Sequence, residues 1–279
     1  MTTAVATPGA QTGNRASLLH LVRSELKKVT STRLWWALLI AAVLLSVVQS
    51  VATAVIAGTD MGGGQPGMPG LESAETIRSV YPLAMFTGTY IFALVIGVTG
   101  MTGEYRYQTI TPTFLVSPKR QRVVLAKIIA HAVIGLVYAV VGMLAVFVGG
   151  GITMAARGHG LGLDADRLWS TTGLAILAVA IWTVIGIGIG TLIRNQVAAI
   201  VLAVLITFLI EPLLTVLASA LDMDWVAKWL PSNASSALMS PGDTMLDYLD
   251  WWAGGLVLLG YGVLFAAVGM VLSLRRDVS

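Results

Sequence analysis

Residues 79–110 read SVYPLAMFTGTYIFALVIGVTGMTGEYRYQTI. No charged side chain occurs from Ser79 to Gly103, and the run ends abruptly in Glu104, Tyr105, Arg106 and Tyr107. About 20 consecutive apolar residues suffice for a helix to cross a bilayer. Apolar and polar residues do not alternate here, and a lone strand would leave its backbone groups unpaired in lipid, so the stretch predicts a transmembrane helix.

Similar stretches recur on both sides of it. Charge-free runs cover 34–59, 128–156, 168–193, 195–210 (continuing past Glu211 to 221) and 251–274. Predicted spans lie at about 34–58, 79–102, 123–155, 168–193, 196–219 and 251–274. Of 279 residues, 56% are hydrophobic and 11% charged, and the mean hydropathy is +0.83, far from the balance of a soluble domain. The expected fold is an all-α integral membrane protein with one six-helix transmembrane domain over 16–279. There is no cysteine, hence no disulfide framework, thiolate nucleophile or cysteine metal site.

Loop charges set the predicted orientation. All but four of the 17 Lys and Arg residues fall before span one, between spans two and three, at Arg194, or after span six. The exceptions, Arg78, Arg157, Arg167 and Lys228, share the other side with most of the acids. The positive-inside rule then places both termini in the cytosol. The net charge of +3 reflects topology, and no basic stripe interleaved with aromatics points to nucleic acid as a partner.

Residues 1–15 are small and polar and read as a disordered cytosolic tail rather than a cleaved signal. Leu18, Val22, Leu26 and Val29 then recur at helical spacing with Arg23, Lys27 and Lys28 on other faces, predicting an amphipathic interfacial helix over 16–31 on the membrane surface. On the opposite side, 58–71 is rich in Gly and Pro and should be irregular. The outer segment 220–250, with Trp225, Trp229 and Pro231, reads as an interfacial or re-entrant element. Gly186 and Gly190 in span four are spaced for close helix packing inside the bundle.

No phosphate-binding glycine loop, zinc-protease pair or serine elbow is present. His131, a few residues into span three, reads as a hydrogen-bonded packing residue. Glu211 is followed by Pro212 inside span five, and two readings compete. One is a pathway or gating residue in the bundle interior. The other has the helix ending near Ile210 with Glu211 at the outer interface, hydrogen-bonded or hydrated; at about 1.5 Å per residue from Asn195, it lies roughly 24 Å along the helix, nearer the outer face.

The loop 104–122 is basic, punctuated by Pro112 and Pro118, and mixes hydroxyl and apolar residues. Gly-Glu-Tyr-Arg-Tyr-Gln-Thr-Ile at 103–110, followed by Leu-Val-Ser-Pro-Lys-Arg at 115–120, resembles the loop after span two in type-2 permeases of ATP-binding-cassette (ABC) transporters. The amphipathic first helix, six spans, internal termini and longer outer segment fit the same pattern. The usual form there is closer to Glu-Tyr-Arg-x-Gly-Thr, so Gln108 stands where Gly is common.

The resemblance implies a permease subunit of a bacterial cytoplasmic-membrane exporter, working with separate ABC ATPase subunits and a second permease copy or paralogue. It also implies contact with membrane lipid and a small-molecule, peptide or lipid-like substrate. Glu104, Tyr105, Arg106, Tyr107, Thr109, Ile110, Lys119 and Arg120 would form the ATPase-coupling element. This chain would bind no cofactor, ATP and Mg belonging to the partner. The alternatives are an ion-coupled carrier using Glu211 and a noncatalytic membrane scaffold.

Overall fold

The computed structural model describes residues 17–59, 69–108, 120–240 and 249–275. The tail 1–15, residues 60–68 of the outer loop, 109–119 of the basic loop and 241–248 of the outer segment lie outside the described residues. Within them every regular element is helical, and six helices are long and apolar enough to cross a membrane.

In chain order these are α1 (Leu18–Thr30), α2 (Arg33–Ile56), α3 (Ala74–Arg78), a π turn (Ser79–Leu83) and α4 (Ala84–Arg106). They are followed by α5 (Arg120–Ala156), α6 (Leu168–Leu192), α7 (Gln196–Leu205), a second π turn (Ile206–Ile210) and α8 (Glu211–Ala220). The short α9 (Asp224–Ala227) and α10 (Pro231–Met239) lead to α11 (Trp251–Arg275).

Both π turns accompany a proline. Pro82 lies within the first and Pro212 just after the second. Proline has no N–H to donate and crowds the carbonyl four residues back, and a wider turn accommodates that misfit without ending the helix. The second and fifth spans therefore run through their prolines, over 33 and 25 residues respectively. The fifth helix does not stop near Ile210: it continues helical to Ala220.

The spans α4 and α6 form the centre, with 67% of the apolar window of each buried, against 22% in α2 and in the fifth span. Glycine allows α4 and α6 to touch. A Cβ on Gly97 would lie 2.2 Å from the Thr183 carbonyl oxygen, and one on Gly186 would lie 2.2 Å from that of Leu94. Gly190 is similarly close to Val98, so the Gly186 and Gly190 pair is spent inside the bundle, as its spacing suggested. The outward surfaces of α2 and α5, with exposed Leu44, Val48, Leu144 and Ile152, are apolar, as lipid requires.

The expected amphipathic helix forms over Leu18–Thr30 as α1. Ser17 caps its N-terminus, its hydroxyl accepting from the His20 N–H, and Lys27 and Lys28 complement the dipole at its last turn. Its apolar stripe is taken up by α5, with Val29 buried, while Leu19 stays exposed. The Trp35 indole N–H donates to the Thr30 carbonyl oxygen at 2.8 Å and fastens the turn into α2.

Candidate functional site

At the basic end of the bundle, α1, α4 and α5 meet around four charges. Val22 and Val29 put Glu25 on the buried stripe of α1, because residues three and four apart share a helix face. Across from it, α4 brings Glu104 in its last turn and α5 brings Lys127 in its second. The Lys127 ammonium donates to Glu25 Oε2 at 2.6 Å, Glu104 Oε1 at 3.0 Å and the Gly100 carbonyl oxygen at 3.1 Å. Lys28 donates to Glu25 Oε1 at 2.6 Å and to the same Glu104 oxygen at 3.1 Å. Two ammonium groups thus tie two carboxylates from different helices into a closed ring.

The ring is unevenly buried. Side-chain exposure is 3% for Lys127, 4% for Glu25 and 9% for Glu104, but 45% for Lys28. Burial alone would push the Glu25 carboxyl up, yet the facing Lys127 and Lys28 outweigh it and hold the group below its ordinary value. Burial likewise works against the Lys28 ammonium, and the two carboxylates prevail, raising it. Removing one partner from a buried, hydrogen-bonded ion pair typically costs about 3–5 kcal/mol, so the arrangement couples α1 firmly to α4 and α5.

His131, one turn beyond Lys127 on α5, is fully buried. Its Nδ1–H donates to the Lys127 carbonyl oxygen at 2.9 Å, while Nε2 has no hydrogen-bond partner. A Cβ on Gly100 would meet that nitrogen at 1.9 Å, so the glycine makes room for the imidazole edge. His131 is the packing residue its position suggested.

Past Glu104 the chain leaves α4 through Tyr107 and Gln108. Arg106 donates to the Gln196 side-chain oxygen at 3.1 Å, tying the end of α4 to the start of α7, and its guanidinium lies 5.6 Å from the Tyr107 ring centre. Gln108 has φ +55°, the left-handed conformation that ends helices and that glycine adopts freely. The glycine usual at this place has a backbone reason, and glutamine keeps the turn at a cost of about 1 kcal/mol. Tyr105 is half-buried, whereas Arg106 and Tyr107 are exposed. Thr109, Ile110 and Lys119 lie outside the described residues, as does the side chain of Arg120.

The other acid is far from this ring. Glu211 is 5% exposed and its Oε2 accepts the backbone N–H of Ser232 at 2.8 Å. The expected helix end near Ile210 is corrected, since the helix continues past Glu211 to Ala220; the carboxylate is hydrogen-bonded, α10 folding back so that it meets an otherwise unpaired N–H of that helix's first turn. Pro212 follows directly on the second π turn, which takes up its missing N–H within the continuous span. Asn233, in a glycosylation-like triplet, is used internally, its amide donating to Thr215 and to the Ala227 carbonyl oxygen.

Glu25 and Lys127 were not singled out in the sequence. An acid in register with Val22 and Val29 was the available signal for the first. For Lys127 it was a cation at the edge of a span that the α5 helix carries inward.

The sequence profile of ABC-2 family transporter proteins matches residues 21–210. The chain belongs to the ABC-2 transporter family. Six apolar helices and this membership make it an integral membrane permease subunit of the ABC-2 type. Such subunits lack a nucleotide-binding domain of their own and work with ABC ATPase subunits. No curated protein matches the chain. The matched region contains α1 from Leu21 onward, α4, α5 and all four residues of the charged ring.

Proposed function

We propose that this ABC-2 permease is the membrane half of an ATP-driven exporter of the bacterial cytoplasmic membrane, and that the ring of Glu25, Lys28, Glu104 and Lys127 passes ATPase motion into the bundle. In this reading the basic end faces the cytosol, the residues following Glu104 dock on a separate ABC ATPase that holds ATP and Mg, and a second permease copy or paralogue completes the pathway. The carrying observation is the position of Glu104. It ends the span that leads into the basic loop and is bonded to Lys28 of α1 and Lys127 of α5. A displacement of the loop root therefore strains contacts to two further helices at once, which is the differential interaction that coupling requires.

Few ionisable groups lie within the spans, which suits a hydrophobic or amphipathic substrate. Glu211, the acid an ion-coupled carrier would use, is occupied in joining α8 to α10.

The test is purification from the native membrane in mild detergent, followed by ATP hydrolysis on what co-purifies. A stoichiometric ATPase is expected, released by Arg106→Glu with Arg120→Glu. In the assembled complex, Glu104→Ala should lower substrate-stimulated ATP turnover at least about tenfold, the equivalent of roughly 1.4 kcal/mol of lost coupling. Unaltered turnover in an assembled Glu104→Ala complex overturns the relay. A lone chain whose transport ignores ATP and follows an ion gradient overturns the ABC reading.

A further inference from the structure

Beside the charged ring lies a partly open cavity of 410 Å³, within the range of about 300–1,000 Å³ typical of small-molecule sites. Its walls are mainly apolar, formed by Val29 of α1, Leu34 of α2 and Ile96 and Gly103 of α4, while Lys28 and Glu104 bring charge to it. Leu34 is 40% exposed on the outer surface of α2, next to Trp35 and Trp36, residues that favour headgroup depth. An apolar, lipid-level cavity with charge at one end has the form of an amphipath.

The unused valences set the headgroup. Lys127 has all three N–H groups engaged and Glu25 both oxygens. Lys28 has engaged two N–H groups, so among the described residues the third has no acceptor. Both lysines bond to Glu104 Oε1, and among the described residues Oε2 has no partner. The cavity therefore offers one charged donor beside one charged acceptor, and the ring as a whole is neutral. That pattern matches a headgroup with a phosphate for Lys28 and a primary ammonium, itself a hydrogen-bond donor, for Glu104. A purely anionic headgroup would leave Glu104 facing like charge, and a quaternary ammonium has no N–H to give it.

We infer that this cavity is a binding site for a phospholipid whose headgroup carries both a phosphate and a primary ammonium, drawn from the leaflet at the basic end. The lipid lies against the same ring that anchors α4, so its occupancy reinforces the α1 to α4 junction. The inference rests on membrane placement and on the cavity alone, and is independent of ATP coupling.

The purified full chain in detergent, without any ATPase, is titrated with dioleoyl phosphatidylethanolamine, phosphatidylcholine or phosphatidylglycerol, and retained lipid is read by native mass spectrometry. Phosphatidylethanolamine is expected to bind about tenfold tighter than the other two, the worth of one charge-assisted hydrogen bond. Lys28→Gln, which removes the phosphate contact that all three lipids share, should weaken retention of all three and leave the order of preference in place. Gly103 lines the cavity and a Cβ there meets nothing within 4 Å, so Gly103→Leu adds its bulk at the cavity wall; it should abolish the preference while the lipid-free protein keeps a cooperative thermal transition. Equal retention of the three lipids, or full retention by Gly103→Leu, overturns the site. Competition by tail-free glycerophosphoethanolamine as strong as by the lipid overturns the assignment to a membrane lipid.

Discussion

Glu25 shows what a single side chain does when an apolar stripe delivers it into a bundle. Its carboxyl accepts from two lysines and is held below its usual range, so it contributes stability that is present above the unfolded-state value of 4.5 and is lost as pH falls through the lower folded value. Lys28, raised above 10.5, contributes in the opposite sense: present below that pH and lost as pH rises through the higher folded value. Because Lys28 is nearly half exposed, solvent screens its share to well under about 1 kcal/mol. The expected outcome is a thermal midpoint in detergent that is flat through neutral pH and drops on the acid side below 4.5. Glu25→Gln should lower the midpoint at neutral pH, by the equivalent of about 3 kcal/mol, and flatten that acid limb. An unchanged acid limb in the variant would place the sensitive carboxylate elsewhere.

Helix contacts are set by where side chains are missing. At Gly97 the α6 backbone approaches so closely that a methyl group would overlap the Thr183 carbonyl oxygen, whereas a Cβ on Gly173 of the same α6 helix meets nothing within 4 Å. Gly97→Ala must therefore push α4 and α6 apart and should cost about 1–3 kcal/mol or more, seen as a lower midpoint and loss of monodisperse protein. Gly173→Ala should raise stability by up to about 1 kcal/mol through better helix propensity. The GxxxG spacing in span four was visible in the sequence, but its partner was not: nothing in 186–190 says that Leu94 and Val98 will lie opposite, since that depends on how α4 is rotated. The same holds for α1. Its amphipathic period was legible, yet not that α5, which begins at Arg120, would pack on the stripe.

Across the molecule, charge asymmetry sets one end apart. The ring, the exposed Arg106 and the start of α5 share the basic end, whereas α9, α10 and the Glu211 contact with Ser232 close the other. Since the chain contains no cysteine, single cysteines report topology directly. In sealed inside-out bacterial vesicles, His20→Cys and Tyr107→Cys should react with a membrane-impermeant maleimide and His159→Cys and Trp225→Cys should not; in right-side-out vesicles the pattern should reverse. Reaction of both pairs from the same side would refute the six-span arrangement.

The apolar runs settled that the chain is a bundle of six membrane helices, and the loop cations predicted its orientation, because in lipid every backbone group must be paired within its own helix and length and polarity alone then define a span. The motif at 103–110 pointed to the family. Glu104 was legible as a candidate because it stands at a span end; its partners were not. Lys28 and Lys127 lie 76 and 23 residues from it in sequence, and only the packing of α1 against α5 brings them together. Glu211 shows the same limit. Its position beside Pro212 announced a break, and the tertiary structure decided otherwise: a π turn absorbs the proline, the helix runs on, and α10 returns to place an unpaired N–H where the buried carboxylate needs a donor.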